Sequence, residues 1–355
     1  RRMGCTRIEL GLQAPDDKIL ALIKRGHTVQ QFRDAMYLLR QAGFKVDLHF
    51  MPDLPGTTPE HDVQMYKQLF TDPGLKPDMV KIYPNTVIPS AELYQWYLDG
   101  RYKPYGEENL FNALLQMKLA TPRYCRISRL IRDIPEQEIA AGNRITNLRE
   151  NLTAELKRRG LRCVCLRCRE IGRHRNTATL QHENTATPTL FIESYETIGG
   201  TEYFLTLEDA ERIAVFAFLR LRLPLMTDFA AAQSVTPFNK RRSSELSPQA
   251  KFAFNQSNSN LANSANLLYR LLPELKHCAF IRELHTYGQQ LSIGERDNKA
   301  SQHKGLGKKL MAEAEKIART HGFKKIAVIS GIGVRGYYRK LGYRKQGTYM
   351  VKGLN

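Results

Sequence analysis

No stretch of this 355-residue chain approaches the roughly 20 consecutive apolar residues that a helix needs to cross a bilayer, and its start lacks the layout of a secretory signal. That excludes a membrane-spanning reading and leads to the expectation of a cytoplasmic protein. Cysteine is scarce, six in all, too few for a disulfide scaffold and in keeping with a reducing compartment. Acid is short as well: 35 Asp and Glu stand against 54 Lys and Arg, for a formal net charge of +19. Solubility needs far less. The excess points to a polyanionic partner, with nucleic acid ahead of an anionic membrane surface. The length allows two domains with cores of their own. The chain opens on Arg1-Arg2-Met3-Gly4-Cys5 and enters a strand-like segment at once, which reads as a piece of a longer protein.

What is present is clearest near the C-terminus, at Gln302-His303-Lys304-Gly305-Leu306-Gly307, followed by an amphipathic segment over 308–321. A Q-x-x-G-x-G loop at a helix start leaves backbone N–H groups uncovered, and the helix end adds partial positive charge, so the loop reads as a pyrophosphate cradle. An ordinary glycine-containing helix start is the plainer alternative. A β-branched run at 325–330, the Gly331-Ile332-Gly333 turn and the aromatic segment 334–343 follow. This order resembles the acetyl-CoA half of the GNAT acetyltransferases. The resemblance implies that the loop holds the coenzyme A pyrophosphate and that a tyrosine lies near the thioester sulfur, able to protonate the leaving thiolate. Tyr337 and Tyr338 are the residues in that position, with core packing as the alternative for either ring.

Earlier in the chain, strand patterns at 5–13, 44–50, 79–83 and 124–130 alternate with helical patterns at 16–24, 28–42, 59–70, 91–99 and 107–120. Thr28 is a helix cap and Gly43 a stop. The alternation implies parallel β/α units, whose functional groups collect at the carboxyl ends of strands. Those ends carry Glu9, Gly11 and Gln13, then His49, then Lys81 and Tyr83. Further on, 189–196 and 201–207 read as a hairpin around Gly199-Gly200, 208–219 as a helix, and 279–285 as a strand leading to the cradle. The Ala, Ser, Asn and Gln-rich stretch at about 225–268, with Lys240-Arg241-Arg242, reads as a flexible insertion.

Arg126, Arg129 and Arg132 begin a basic run that continues through Arg144, Arg149, Lys157, Arg158, Arg159, Arg162, Arg167, Arg169, Arg173 and Arg175. Any one of these is ordinary surface charge; the concentration is what RNA or DNA phosphates require. Inside the run, Cys163-Val164-Cys165-Leu166-Arg167-Cys168 brings three thiolates close enough to share one tetrahedral zinc, with His174, His182 or Cys125 as the fourth ligand. A structural ion is the expectation, since nothing nearby suggests activated water.

Arg7-Ile8-Glu9-Leu10-Gly11, Met51-Pro52-Asp53-Leu54-Pro55-Gly56, Lys81-Ile82-Tyr83-Pro84, Arg132-Asp133-Ile134-Pro135, Ile281-Arg282-Glu283-Leu284-His285 and Ile329-Ser330-Gly331-Ile332-Gly333-Val334-Arg335 together resemble the catalytic subunit of Elongator. Its prokaryotic relatives resemble stand-alone tRNA uridine carboxymethyltransferases. The resemblance covers nearly the whole chain apart from the polar stretch. It implies an α/β fold: the C-terminal part of a radical S-adenosylmethionine (β/α) barrel over 1–130, a basic zinc-binding connecting segment over 131–188, and a GNAT-like domain over 189–355. The implied reaction is carboxymethylation of carbon 5 of the tRNA wobble uridine, with acetyl-CoA, S-adenosylmethionine, a 4Fe-4S cluster and zinc. The implied partners are tRNA and either Elongator-type subunits or a second copy.

Carried over by position, Gln302, Lys304, Gly305, Gly307 and Lys308 would hold acetyl-CoA, with Tyr337 and Tyr338 by its thioester. Glu9, Gln13 and Lys81 would face S-adenosylmethionine and substrate, Lys81 among the catalytic groups. Arg126, Arg129, Arg132 and Arg149 would lie on the tRNA path, and Cys163, Cys165 and Cys168 would bind zinc. One departure is large: no C-x-x-x-C-x-x-C spacing precedes Arg126, so the cluster ligands and first barrel strands are expected outside this chain, which alone would not complete the reaction. The polar insertion is the second departure. A lysine N-acetyltransferase accounts for the C-terminal half alone, and a non-catalytic tRNA-binding remnant accounts for the missing cluster.

Overall fold

A computed structural model describes residues 2–132, 134–173, 188–225, 268–287 and 305–355. The polar stretch expected as an insertion falls almost wholly outside them. In chain order the elements are β1 (Arg7–Gln13), α1 (Asp17–Leu22), α2 (Val29–Gln41), β2 (Lys45–Phe50), α3 (Pro59–Thr71), β3 (Met79–Ile82), β4 (Thr86–Val87), α4 (Leu93–Leu98), α5 (Glu107–Ala120), β5 (Arg126–Arg129), β6 (Ala141–Gly142), α6 (Leu148–Arg158) and α7 (Leu166–Arg169). Then come β7 (Thr189–Thr197), β8 (Gly200–Glu208), β9 (Val215–Pro224), β10 (Cys278–Thr286), α8 (Leu306–Thr320), β11 (Lys325–Val328), α9 (Arg335–Lys340), β12 (Arg344–Gln346) and β13 (Tyr349–Gly353).

The first half is a parallel sheet in the order β1-β2-β3-β5. Its helices start where local chemistry dictates. Thr28 Oγ1 accepts from the Gln31 N–H at 3.2 Å while Gln31 Oε1 accepts from the Thr28 N–H at 2.8 Å, a reciprocal cap that fixes the start of α2. Gly43, with φ +77°, ends the helix in a conformation that costs other residues more. Alternation in β2 sends Val46, Leu48 and Phe50 into the core shared with the helices, and Lys45, Asp47 and His49 to the other face.

The second half is a sheet in the order β12-β13-β11-β10-β9-β8-β7. Its β10–β11 pair is parallel and its other pairs are antiparallel. The segment 208–219, expected as a helix, is instead the end of β8, a turn and the first half of β9. Asp209 Oδ1 accepts from Ala214 N at 2.5 Å, Arg212 has φ +57°, and the chain reverses so that Val215 pairs with Glu208. Burial on both faces along Val215–Pro224, paired between β8 and β10, outweighs the helix-favouring composition.

The halves share their cores. Phe204, Val215 and Phe218 of the second sheet pack with the barrel residues, and Tyr37 of α2 packs with the second sheet. Between them lies a buried ionic lattice. Arg282 donates to both Asp78 oxygens at 2.5 and 2.8 Å and through Nε to Glu202 at 2.9 Å. Arg40 and Arg222 also donate to Glu202, at 2.9 and 3.1 Å, and Arg220 and Lys45 donate to Glu283, at 3.0 and 3.1 Å. Burial alone would raise the Asp78 carboxyl, but Arg282, Arg40 and Arg220 hold it well below the usual carboxylate range.

Candidate functional site

Three groupings of chemistry-bearing side chains stand apart from this lattice. The first lies at the carboxyl ends of the parallel strands. Glu9, Lys81 and His49 come from β1, β3 and β2, and the parallel register sets His49 opposite Lys81. Lys81 Nζ donates to Glu9 Oε2 at 2.6 Å, and His49 Nε2 lies 3.4 Å from the same oxygen. The lysine contact, foremost, lowers the Glu9 pKa, while burial and then the Lys81 charge lower that of His49. Glu9 is therefore an anion and His49 neutral at neutral pH. Gln13, at φ +68°, occupies an irregularity in β1; its Oε1 is buried without a hydrogen-bond partner, a vacancy that a ligand donor would fill.

Asp47 sits one layer deeper, wholly buried, and the sequence reading passed it over. Ser128 Oγ lies 3.0 Å from each Asp47 carboxyl oxygen and 3.1 Å from the Val80 carbonyl oxygen. One hydroxyl proton cannot serve three acceptors; a protonated Asp47 can donate to Ser128, which is then free to donate to the Val80 carbonyl. Burial accordingly pushes the Asp47 pKa up to about 6. Its strand position, two residues before His49, was the available signal. A second missed grouping fastens the 51–56 loop: Asp62 Oδ2 accepts from Asp53 N at 2.6 Å and from Tyr105 Oη at 2.8 Å, and Tyr102 Oη donates to the Asp53 carbonyl at 2.8 Å. Burial raises Asp53 to about 7 and Asp62 to about 6.

The glycine loop forms the second grouping. Gly305 has φ +102° and caps α8 without a side-chain hydrogen bond, so the first N–H groups of a 15-residue helix stay uncovered by side chains. A Cβ at Gly307 would lie 2.8 Å from Tyr337 Oη and 3.6 and 3.7 Å from the Thr286 and Leu284 side chains, so only glycine leaves this approach open. Beside it, β10 and β11 pair only from Cys278 to Ile281, after which β10 continues with β9 and the sheet opens. Tyr337 is half-buried with its hydroxyl toward Gly307, whereas the Tyr338 ring is buried in the second core. Burial raises both phenols, Tyr338 to about 12, so both keep their protons at neutral pH. Lys308 is exposed on the first turn; Gln302 and Lys304 lie outside the described residues.

The third grouping is the cysteine trio. The sulfurs of Cys163, Cys165 and Cys168 all lie within 4.8 Å of one another, with Cys165 wholly buried. Hydrogen bonds from Cys163 and Cys168 hold the Cys165 thiol well below its usual pKa, the charge state a soft metal ion selects. A sulfur donor set of this size and burial fits a tetrahedral ion completed by one further ligand. Cys125 is buried outside the trio, and His174 and His182 fall outside the described residues. Cys5, Cys125 and Cys278 form no second trio among the described residues.

Of the arginines expected along an RNA path, Arg129 at the end of β5 and Arg132 just beyond it are exposed, Arg129 opposite Lys81 in register and Arg132 near enough to His49 to act on its charge. Arg126 pairs with Glu170 at 2.7 Å, and Arg149 donates to the Ile127 carbonyl at 3.2 Å. Among the described residues no helix is long and apolar enough to cross a membrane.

Family models match three stretches of the chain. The Radical SAM superfamily model matches residues 1–69, the Radical SAM C-terminal domain 77–158 and the Acetyltransferase (GNAT) family 276–343. The chain is similar to a tRNA uridine(34) acetyltransferase of Methanocaldococcus infernus, 39% identical over 99% of the chain and 58% of the relative. A protein of the same name from Dehalococcoides mccartyi is 37% identical over 99% of the chain and 67% of the relative. Elongator complex protein 3 of Danio rerio is 36% identical over 99% and 56%. The chain thus spans under two thirds of the length of some of these relatives. A solved structure of the archaeal Methanocaldococcus infernus Elp3 with an N-terminal deletion superposes with a TM-score of 0.78 at 39% identity, covering 99% of this chain and 73% of that one.

Proposed function

Because the chain belongs to the family of the tRNA uridine(34) acetyltransferases and Elongator complex protein 3, we propose that it is the part of a tRNA-modifying acyltransferase that brings an acetyl donor to a radical barrel. The product would be a wobble uridine carrying a carboxymethyl group at carbon 5. The observation that carries this reading is the joining of an acetyl-CoA-type cradle and a strand-end polar site through one shared, ion-laced interface.

In this reading, S-adenosylmethionine supplies a carbon radical when reductively cleaved, and acetyl-CoA supplies the two carbons. The chain's own residues bind and orient. Uncovered N–H groups at Gly305 to Lys308, with Gln302, Lys304 and Lys308, neutralise the pyrophosphate of acetyl-CoA. Tyr337 and Tyr338 stand by the thioester, where a phenol proton stabilises sulfur as its charge develops. Glu9 and Lys81 hold amino and carboxylate groups of S-adenosylmethionine, and Gln13 offers its vacant oxygen to a donor. Arg126, Arg129, Arg132 and Arg149 line the tRNA path, with Arg129 and Arg132 exposed on the side of the strand-end site. Zinc on Cys163, Cys165 and Cys168 shapes the segment beside that path. No cluster ligands are assigned in this chain, so no step is written through the iron–sulfur group.

The test is nucleoside mass spectrometry of tRNA incubated with the natural gene product, S-adenosylmethionine, a low-potential reductant and acetyl-CoA. Carboxymethyluridine at the wobble position is expected. Folded, cluster-loaded enzyme that yields none, or that acetylates lysine peptides regardless of tRNA, overturns the reading.

A further inference from the structure

The positive charge of this chain is spread unevenly. The run over 126–175 holds thirteen Lys and Arg but also six Asp and Glu, whereas 305–355 holds twelve against two, so the larger local excess lies in the acetyltransferase-like half. Much of the first run is also engaged within the fold. Arg126 pairs with Glu170 and the buried Arg169 with Glu208, Arg158 and Arg159 share Glu155, and Arg149 donates to the Ile127 carbonyl.

The two acids of the C-terminal stretch answer few of its cations. Glu315 is buried, accepting from Tyr343 Oη at 2.9 Å and from Lys352 at 2.8 and 2.9 Å, and Glu313 faces Lys316 at 3.5 Å. Arg339 and Lys340, at the end of α9, and Arg344 and Lys345, on β12, are all exposed, and among the described residues none of the four forms an ion pair. The turn between the pairs is closed by Tyr343 N donating to the Tyr338 carbonyl at 3.1 Å, and β12 is the outermost strand of its sheet, so the four share one rim. Charge on an edge strand guards against stray pairing, but that accounts for β12 and not for the helix end. A second copy would meet this rim with like charge.

We propose that Arg339, Lys340, Arg344 and Lys345 form a docking surface for the phosphate backbone of tRNA, apart from the arginines near β5 and on the helix whose Tyr337 faces Gly307. The proposal rests on reading the chain as part of a tRNA-modifying enzyme. Four unpaired cations on one rim match phosphates repeated along a backbone, and nucleic acid held there lies on the acetyl donor's side of the molecule.

The experiment is binding of a fluorescein-labelled tRNA transcript to the natural gene product, followed from about 50 to 300 mM salt. Arg339→Gln, Lys340→Gln, Arg344→Gln and Lys345→Gln together should weaken binding about 10²- to 10³-fold near 0.1 M salt and lower the slope of log affinity against log salt by about 3 to 4. Arg339→Gln with Lys340→Gln alone should lower the slope by about 2. The loss should be the same for tRNAs of different anticodon, because phosphates carry no sequence. A charge-matched control on exposed lysines, Lys18→Gln, Lys24→Gln, Lys67→Gln and Lys103→Gln together, should change the slope by less than about 1. Retention of acetyl-CoA by the fourfold rim variant should equal that of wild type, showing the cradle intact. Wild-type protein that binds no tRNA overturns the enzyme reading and this proposal together. Wild-type binding with an unchanged slope in the fourfold rim variant overturns this proposal alone, as does an equal loss in the control, which would make the effect one of net charge. Tighter binding of wild type to phosphatidylserine vesicles than to tRNA, lost in the rim variant, also overturns it and assigns the rim to a lipid surface.

Discussion

The ionic lattice between the sheets and the Glu9–Lys81–His49 grouping are built from the same pieces, carboxylates facing cations, yet they differ in what remains open. In the lattice each oxygen of Asp78 and Glu202 accepts from a guanidinium, and spare N–H groups reach the carbonyls of Phe44, Tyr124 and Ile198. At the strand ends, one oxygen of a partly exposed Glu9 faces both Lys81 and His49, and Gln13 keeps a vacant acceptor. In the lattice the carboxylate oxygens are filled and only donors, Arg40 Nε and Arg220 Nη1, stay unmatched, whereas at the strand end an acceptor is left open to a ligand. The buried set holds the cradle and the strand ends in one frame.

The sharpest way to break that contrast is Asp78→Asn. It removes the charge that Arg282 grips and leaves buried guanidinium uncompensated, so the expected loss is about 3–5 kcal/mol, read by urea unfolding. A loss below about 1 kcal/mol would mean that water enters the interface and the lattice is not the fixed frame described above. Next in size is the pair of phenols. Tyr337→Phe with Tyr338→Phe keeps both rings and removes both protons, and should slow acetyl-CoA hydrolysis about 10²- to 10⁴-fold. The single variants should be unequal, because the rings occupy different environments. Two silent single variants and a silent double would remove the phenols from the chemistry.

A smaller effect separates Asp47 from the lattice carboxylates. Its pKa is raised, to about 6, so its stabilising share is complete below the unfolded value near 3.8 and is lost as pH rises through 6. The groups facing it are Arg7 and Glu9 on β1, Lys81 on β3, Ser128 on β5 and Cys125 before β5. Between pH 4 and pH 8 it should cost the fold roughly 3 kcal/mol, and Asp47→Asn should remove that part of the slope, measured by urea unfolding across pH. Asp78 and Glu202, with depressed pKa values, contribute in the opposite sense and lose their share only in acid. An unchanged slope in Asp47→Asn would place the titration elsewhere.

How much of this was legible in sequence follows from the range of the forces involved. The Thr28 cap, the Gly43 stop, the strand periods of β1 to β3 and the Gly305–Gly307 turn are set within a few residues, and the sequence shows them. The lattice joins Arg40 to Glu202 and Asp78 to Arg282, residues distant in sequence whose pairing exists only once both sheets have formed. The same holds for Lys118 of α5, which reads as one more surface charge on a helix until its burial is seen. The 208–219 segment misled for a related reason: its composition is helix-tolerant, and the partner strands that decide it come from either side of a long gap. Of the expected arginines, the sequence could not tell Arg126, drawn to Glu170, from the exposed Arg132.

The gentlest test compares one chemical pair at two exposures. Lys81–Glu9 and Lys24–Glu92 are both lysine–glutamate contacts of 2.6 Å, but the lysine side chains are 15% and 69% exposed. Screened by water, the second should matter little, so Lys24→Met should leave the melting temperature within about 1 °C and ligand binding unchanged. Lys81→Met removes a charge-assisted bond to a carboxylate that is itself partly exposed, so its stability cost should stay below about 1 kcal/mol. Its effect should fall on binding instead: retention of S-adenosylmethionine, measured by equilibrium dialysis on the cluster-loaded enzyme, should weaken about tenfold. Equal behaviour of the two variants would mean that Lys81 is an ordinary surface lysine and that the strand-end grouping, for all its vacancies, receives nothing.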